Sequence, residues 1–195
     1  MSRVRYHSNC IVDSKRKRTC PLPVKLHVVI TAGEYSSNKN RAEVEAIFTQ
    51  AAKIWSFQAR IKLELVSVKL RPISSDQLKL LFSETKETLF LTTQLPGYSK
   101  KYLNLYCVGE IRPSVRGLSF PETNVSFVTA TDEYAPRTLA HEIGHLLGLQ
   151  HITGTDNLMQ QHVKVAHGCQ LNPFQIWMAR TLAQAWLTRP ISIRH

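Results

Sequence analysis

The alternation of apolar and polar side chains predicts the first half of the chain as strand, helix, strand. Residues 24–30 alternate with period two, which indicates a half-buried strand. Apolar positions within residues 44–55 recur at helical spacing, and Asn38 or Asn40 could begin that helix as its N-cap. Alternation returns at residues 61–65, which predicts a second strand.

The second half contains shorter elements and ends in a helix. Residues 76–92 are expected to be helical and could be an insertion, and residues 103–107 predict a third strand. Two short strands are expected at 117–120 and 125–130, and a last helix at 172–186. Between the second of these strands and the last helix, we expect another helix that begins near Pro136. This mixture of strands and helices predicts the α+β fold class.

The residues with the clearest chemistry lie between 141 and 151. His141 and His145 are one helical turn apart, so both imidazoles can reach one zinc ion at about 2.0–2.1 Å. On a continuing helix His151 would lie about 9 Å beyond His145, so the chain must reverse, and Gly148 permits a left-handed C-cap. Three histidine ligands leave one position of a tetrahedral zinc for water, and Glu142 suits a general base acting on that water.

This spacing resembles the HExxHxxGxxH motif of the metzincin clan of zinc endopeptidases, and most closely the matrixins. The resemblance implies one catalytic zinc ion held by His141, His145 and His151. It also implies a methionine-containing turn at residues 156–160, in which Met159 forms a hydrophobic floor beneath the metal. The implied function is a zinc-dependent endopeptidase that hydrolyses extended polypeptide with a zinc-activated water and Glu142 as general base.

The same resemblance implies an architecture. We expect a twisted mixed β-sheet with two long helices above the substrate cleft, followed by a short C-terminal helical subdomain. Members of the clan bind an extended peptide along an edge strand, through main-chain hydrogen bonds that do not depend on sequence. The candidate residues for that strand are Gly117, Leu118, Ser119 and Phe120. An apolar substrate preference is expected on the primed side of the scissile bond.

The length of 195 residues predicts one catalytic domain preceded by a basic tail. We assign the tail to residues 1–21 and the domain to residues 22–195. By the resemblance, an upper part covers about 22–148 and a lower part about 149–195.

The formal net charge of +11 bears on partners and location. No finger, RNP-like or helix-turn-helix signature accompanies it, so we expect no specific nucleic acid but attraction to acidic surfaces. The expected partner is a protein or peptide substrate, bound by a monomer. No apolar run approaches the roughly 18 residues of a membrane span, and residues 1–20 lack a signal peptide core. A secreted, extracellular or periplasmic location is expected from the resemblance.

Cys10, Cys20, Cys107 and Cys169 allow three complete disulfide pairings. Cys10 with Cys20 would close a small loop, and Cys107 with Cys169 would tie a strand to the segment after Met159. The even number favours an oxidising compartment, although four free thiols are the alternative. Cys10 or Cys20 could instead block the zinc in a zymogen, but neither lies in the matrixin switch sequence.

Two other function classes stay open from the sequence. One is a catalytically silent zinc-containing peptide-binding domain, against which the presence of Glu142 argues. The other is a basic nucleic-acid or surface-binding module, which no motif supports. Ile152 and Gln160-Gln161 depart from family patterns, so the subfamily is open. Neither His162 nor His167 matches a ligand position.

Overall fold

A computed structural model of the chain describes residues 20–31, 33–131, 133–153, 156–161 and 168–188, which form a five-stranded mixed sheet. The strands are β1 (Cys20–Ile30), β2 (Ile61–Pro72), β3 (Leu103–Val108), β4 (Gly117–Phe120) and β5 (Val125–Thr129). The helices are α1 (Arg41–Ala59), α2 (Ser75–Phe82), α3 (Thr88–Thr93), α4 (Ala135–Leu146) and α5 (Pro173–Thr188).

The strand order across the sheet is β2-β1-β3-β5-β4. β2, β1, β3 and β5 are parallel, and β4 runs antiparallel to β5 at the end of the sheet. The expected mixed sheet is therefore confirmed. Both faces of the sheet are covered, because alternate residues of each central strand enter two different cores. This explains why β3 and β5 are buried at every position.

Helix α1 begins and packs as its sequence requires. Asn40 accepts a hydrogen bond from the backbone N–H of Glu43, and the Glu43 carboxylate accepts one in return from the backbone N–H of Asn40. At the other end, the buried indole Nε1 of Trp55 donates to the backbone carbonyl of Ala140, 3.0 Å away. Helix α1 thus fixes the position of α4, the helix that carries the histidine motif.

The helical structure expected at 76–92 is confirmed for two segments and interrupted between them. The structure has two short helices, α2 and α3, separated by a turn. Ser74 caps α2 through the N–H of Gln77, and Glu84 adopts a left-handed φ of 53° just after Ser83 ends the helix. A left-handed residue cannot continue an α-helix.

The described helices include none that is long and apolar enough to cross a membrane. The proposed tail, residues 1–21, lies almost wholly outside the described residues. The division into a tail and a two-part domain stays a prediction.

Candidate metal centre and catalytic site

Three imidazoles converge at the end of α4. The Nε2 atoms of His141 and His145 are 3.1 Å apart, those of His141 and His151 are 3.1 Å apart, and those of His145 and His151 are 3.0 Å apart. Tetrahedral zinc with Zn–N bonds of 2.0–2.1 Å would separate its nitrogen ligands by about 3.4 Å. The three side chains therefore form a group that could hold a metal ion, and zinc fits their chemistry.

The chain reverses at Gly148, which brings His151 back to the end of the helix. Gly148 has a left-handed φ of 77°. Its N–H donates to the His145 carbonyl, and the Leu149 N–H donates to the Gly144 carbonyl, both at 2.9 Å. These two hydrogen bonds are those of a Schellman motif. The short loop that follows places His151 beside the other two rings.

Backbone carbonyls orient two of the rings. His141 Nδ1 lies 2.7 Å from the carbonyl oxygen of Leu158, and His145 Nδ1 lies 2.8 Å from that of Leu149. A carbonyl only accepts, so each Nδ1 carries the proton and each Nε2 presents its lone pair towards the metal position. Burial lowers the pKa of His141 to about 3, which keeps the ring in the neutral form that binds metal.

Glu142 is buried beside this group, with 5% of its surface exposed. Ser119 on β4 donates its hydroxyl hydrogen to Oε2 of Glu142, and Gly117 on the same strand faces the carboxylate so closely that a Cβ would overlap it. Burial raises the pKa of Glu142 to about 7, while the Ser119 hydrogen bond opposes that rise. A carboxyl group with such a pKa can both accept and return a proton near neutral pH.

A cavity of about 580 Å³ opens in front of these residues. Glu142 is its acidic lining residue, whereas Arg116 and Arg137 also line it, together with Gln161. The lining thus combines two basic side chains with one acidic side chain, and the apolar preference expected on the primed side stays a prediction. Strand β4 forms one wall, and in the described part of the chain it pairs on one side only, with β5.

Met159 is fully buried in the loop after His151. Its Sδ lies 2.5 Å from the position that a Cβ on Gly144 would take, so the sulfur packs directly on α4. The loop is held by Asn157, whose side-chain oxygen accepts from the Met159 N–H at 2.8 Å. Asn157 in turn exchanges two amide hydrogen bonds with Gln175 at the start of α5. The role of Met159 as a floor beneath the metal stays a prediction.

The cysteines do not form the pairing that we considered across the second half of the chain. Cys107 and Cys169 are both free, and burial in β3 raises the pKa of the Cys107 thiol to about 12. Cys107 enters a core filled by neighbouring aliphatic residues and behaves as a small apolar residue there. Cys10 lies outside the described residues, as do His162 and His167.

Comparison with known proteins agrees with this geometry. The matrixin family matches residues 116–175, which contain β4, β5, α4, the three histidines and Met159. The chain is 28% identical over 161 residues to matrix metalloproteinase-B of Caenorhabditis elegans. That match covers 67% of this chain but 29% of the relative.

Solved structures show the same fold. Archaemetzincin from Methanopyrus kandleri covers 83% of this chain, which in turn covers 96% of it, with a TM-score of 0.55 at 14% identity. Metalloproteinase-II from Bacteroides fragilis covers 84% of this chain, which covers 54% of it, with a TM-score of 0.53 at 16% identity. The chain is thus similar in sequence to the matrixins over residues 116–175, and similar in fold to archaemetzincin and metalloproteinase-II. Zinc is accordingly the metal that this metzincin-like site implies.

Several contacts of the site were not predicted from the sequence. The sequence placed Ser119 on the candidate strand but gave no sign that its hydroxyl reaches Glu142. Arg137, Asn157 and Gln175 were missed entirely. Arg137 offered one signal, because it lies four residues before His141 on the same face of a buried helix, where a charged side chain is unusual.

Proposed function

We propose that this chain is a zinc-dependent endopeptidase that hydrolyses bonds within extended polypeptide. His141, His145 and His151 are the metal ligands, and Glu142 is the general base. The observation that carries the proposal is the convergence of three Nε2 atoms within 3.0–3.1 Å, next to a buried carboxyl group. A catalytically silent binding domain is not favoured, since it would have no need of Glu142 in this position.

When bound, zinc supplies Lewis acidity, which acidifies water and polarises the scissile carbonyl. Glu142 accepts the proton of the attacking water and passes it to the leaving amine. Its raised pKa, about 7, suits both transfers at neutral pH. The Ser119 hydroxyl donates to Oε2 of Glu142, and the missing side chain of Gly117 leaves room for Oε1. Strand β4 therefore positions the base while it forms a wall of the cleft.

The substrate pairs with β4 as an added strand, which requires an extended peptide backbone. Ser119 and Phe120 lie on this strand with Gly117 and Leu118, antiparallel to β5. Gly117, at the start of β4, lines the same cavity as Glu142 and His141. Folded proteins, whose backbone is already hydrogen-bonded, are consequently poorer substrates than unfolded ones.

The charge of the cleft favours acidic or neutral substrate side chains over basic ones. Arg116 is exposed at the cavity wall and directly precedes β4, with its guanidinium 5.1 Å from the centre of the Tyr134 ring. A peptide library should show lower kcat/KM for peptides with Lys or Arg near the scissile bond, and Arg116→Gln should reduce that discrimination.

The deciding experiment uses the full chain and unfolded casein. We expect one zinc per chain by elemental analysis, casein cleavage that a chelator stops and added zinc restores, and new internal N-termini on sequencing the products. Glu142→Gln should keep its zinc and lose nearly all cleavage. Release of single terminal residues alone would overturn the endopeptidase assignment, and equal cleavage by Glu142→Gln would overturn the role of the base.

The similarity to matrixins also supports a proposal about location. Matrixins are generally extracellular, and we propose an extracellular site of action for this chain.

A further inference from the structure

Arg137 lies in the first turn of α4, four residues before His141, and only 6% of its surface is exposed. Its Nε and Nη2 atoms, which carry three hydrogens between them, lie within hydrogen-bond distance of four backbone carbonyls. Nε donates to Gly168 at 2.7 Å, and Nη2 lies within reach of Asn157 at 3.1 Å, Leu158 at 3.2 Å and Gln160 at 3.3 Å. Asn157, Leu158 and Gln160 belong to the turn that contains Met159, and Gly168 lies after that turn.

The described residues provide no ion pair for this guanidinium; carbonyl oxygens alone compensate its buried charge. Taking a cation out of water is expensive, so an arginine in such a place must contribute to the local structure in return. A planar guanidinium with donors in a fixed fork can reach several carbonyls at once, which an ammonium group cannot do in the same geometry. The residue type therefore matches the arrangement of acceptors.

One of these carbonyls connects Arg137 to the metal ligands. The Leu158 oxygen accepts from Arg137 Nη2 at 3.2 Å and from His141 Nδ1 at 2.7 Å. That second hydrogen bond fixes the tautomer and the ring orientation of His141, and thus the direction of its Nε2 lone pair. A shift of the Leu158 carbonyl would turn the ring of His141 away from the other two imidazoles.

We propose that Arg137 is a positioning residue of the metal centre, holding the Leu158 carbonyl in the place from which it orients His141 for zinc. This inference rests on the proposed function, because it assumes that His141 binds the metal. Arg137 itself touches neither metal nor substrate. It acts through one carbonyl and one imidazole.

The test compares three variants of the full chain. Arg137→Lys keeps the positive charge but loses the forked donors, and Arg137→Gln loses both. Arg180→Lys is the matched control, because the Arg180 guanidinium on α5 also donates to a backbone carbonyl, that of Ala59 at 3.0 Å, which takes no part in the metal site. Zinc release is followed with a chromophoric chelator, the cobalt-substituted proteins are compared by visible absorption, and the metal-free proteins by thermal unfolding.

Removing a group that orients a metal ligand typically costs 10–100-fold in metal affinity. We expect both Arg137 variants to release zinc at least about 10-fold faster than wild type, with Arg137→Gln the faster, and to show an altered cobalt spectrum. Arg180→Lys should match wild type in both, even where it lowers the melting temperature of the metal-free protein. If Arg137→Gln does not fold, Arg137→Lys decides the question.

The proposal would be overturned if Arg137→Lys released zinc at the wild-type rate, kept the wild-type cobalt spectrum and lost only stability of the metal-free protein. Arg137 would then be an ordinary structural arginine. That outcome would leave the proposed function intact, because wild type would still hold zinc and cleave casein. Failure of the wild-type chain to retain zinc would instead overturn the proposed function itself.

Discussion

Replacing Gly117 by alanine should abolish most peptidase activity while leaving the metal in place. A Cβ at this position would lie 2.6 Å from Cγ of Glu142 and would overlap the carboxylate. Gly117 is not among the glycines with a left-handed φ, so alanine adds no backbone strain there. The collision with Glu142 is the main effect, and the side chain of the base must move away from both Ser119 and the cleft.

The size of the effect follows from the role of the base. General acid–base catalysis contributes typically 10²–10⁴-fold, so we expect kcat on a quenched fluorescent peptide to fall by about 10²-fold or more. Glu142→Gln should set the lower limit of kcat. Adding Gly117→Ala to Glu142→Gln should lower kcat little further, because both changes remove the same interaction. Leu118→Ala is the matched control, since Leu118 on the same strand packs against the core on the other face of the sheet.

Three measurements separate the explanations. Elemental analysis should find stoichiometric zinc in all variants, circular dichroism should show the wild-type fold, and only Gly117→Ala and the Glu142 variants should lose turnover. A folded, zinc-loaded Gly117→Ala protein with the kcat of wild type would refute the reasoning, because the carboxylate would then not need the position in which the structure holds it.

Three further predictions concern stability and metal binding. Gly148→Ala should cost about 1–2 kcal/mol for a left-handed alanine and weaken zinc binding, as chelator competition would show; unchanged zinc affinity would contradict it. Zinc removal should lower the melting temperature, which added zinc restores. Burial lowers the pKa of His27 from 6.5 to about 3 in the folded chain. As the pH drops below 6.5, this side chain is therefore protonated in the unfolded chain but not in the folded one, and the free energy of unfolding falls. His27→Gln should remove about 2 kcal/mol of that loss at pH 5 in urea titrations, and an equally steep pH profile would contradict this.

The parts of the fold that depend on near neighbours could be predicted from the sequence. The strands at 24–30 and 61–65 and the capping residue Asn40 were predicted correctly. The first strand is not half-buried as expected, because His27 and Val29 on its second face are buried as well. The histidine spacing predicted the reversal at Gly148 for the same reason, since helix geometry alone requires it.

Predictions failed where a contact joins distant parts of the chain or where a turn lies hidden in a polar run. The helix expected at 76–92 is broken by residues 83–87, whose polar sequence was compatible with either a helix or a turn. The sequence allowed a disulfide between Cys107 and Cys169, but both are free and β3 places the Cys107 thiol in the core. An alanine at Gly144 would overlap the Met159 sulfur, a contact between separate segments that helix geometry alone does not reveal.

Helix α4 is the element on which the separate parts of the site depend. Trp55 of α1 fixes one side of it through the Ala140 carbonyl. Glu142 faces β4, whereas His141 faces the Leu158 carbonyl that Arg137 also holds. The base and the first metal ligand are consecutive residues, yet they are positioned by different neighbours. Since the two sets of contacts share no partner, proton transfer and metal retention can be weakened independently in this chain, and a loss of activity alone does not identify which of them a substitution has damaged.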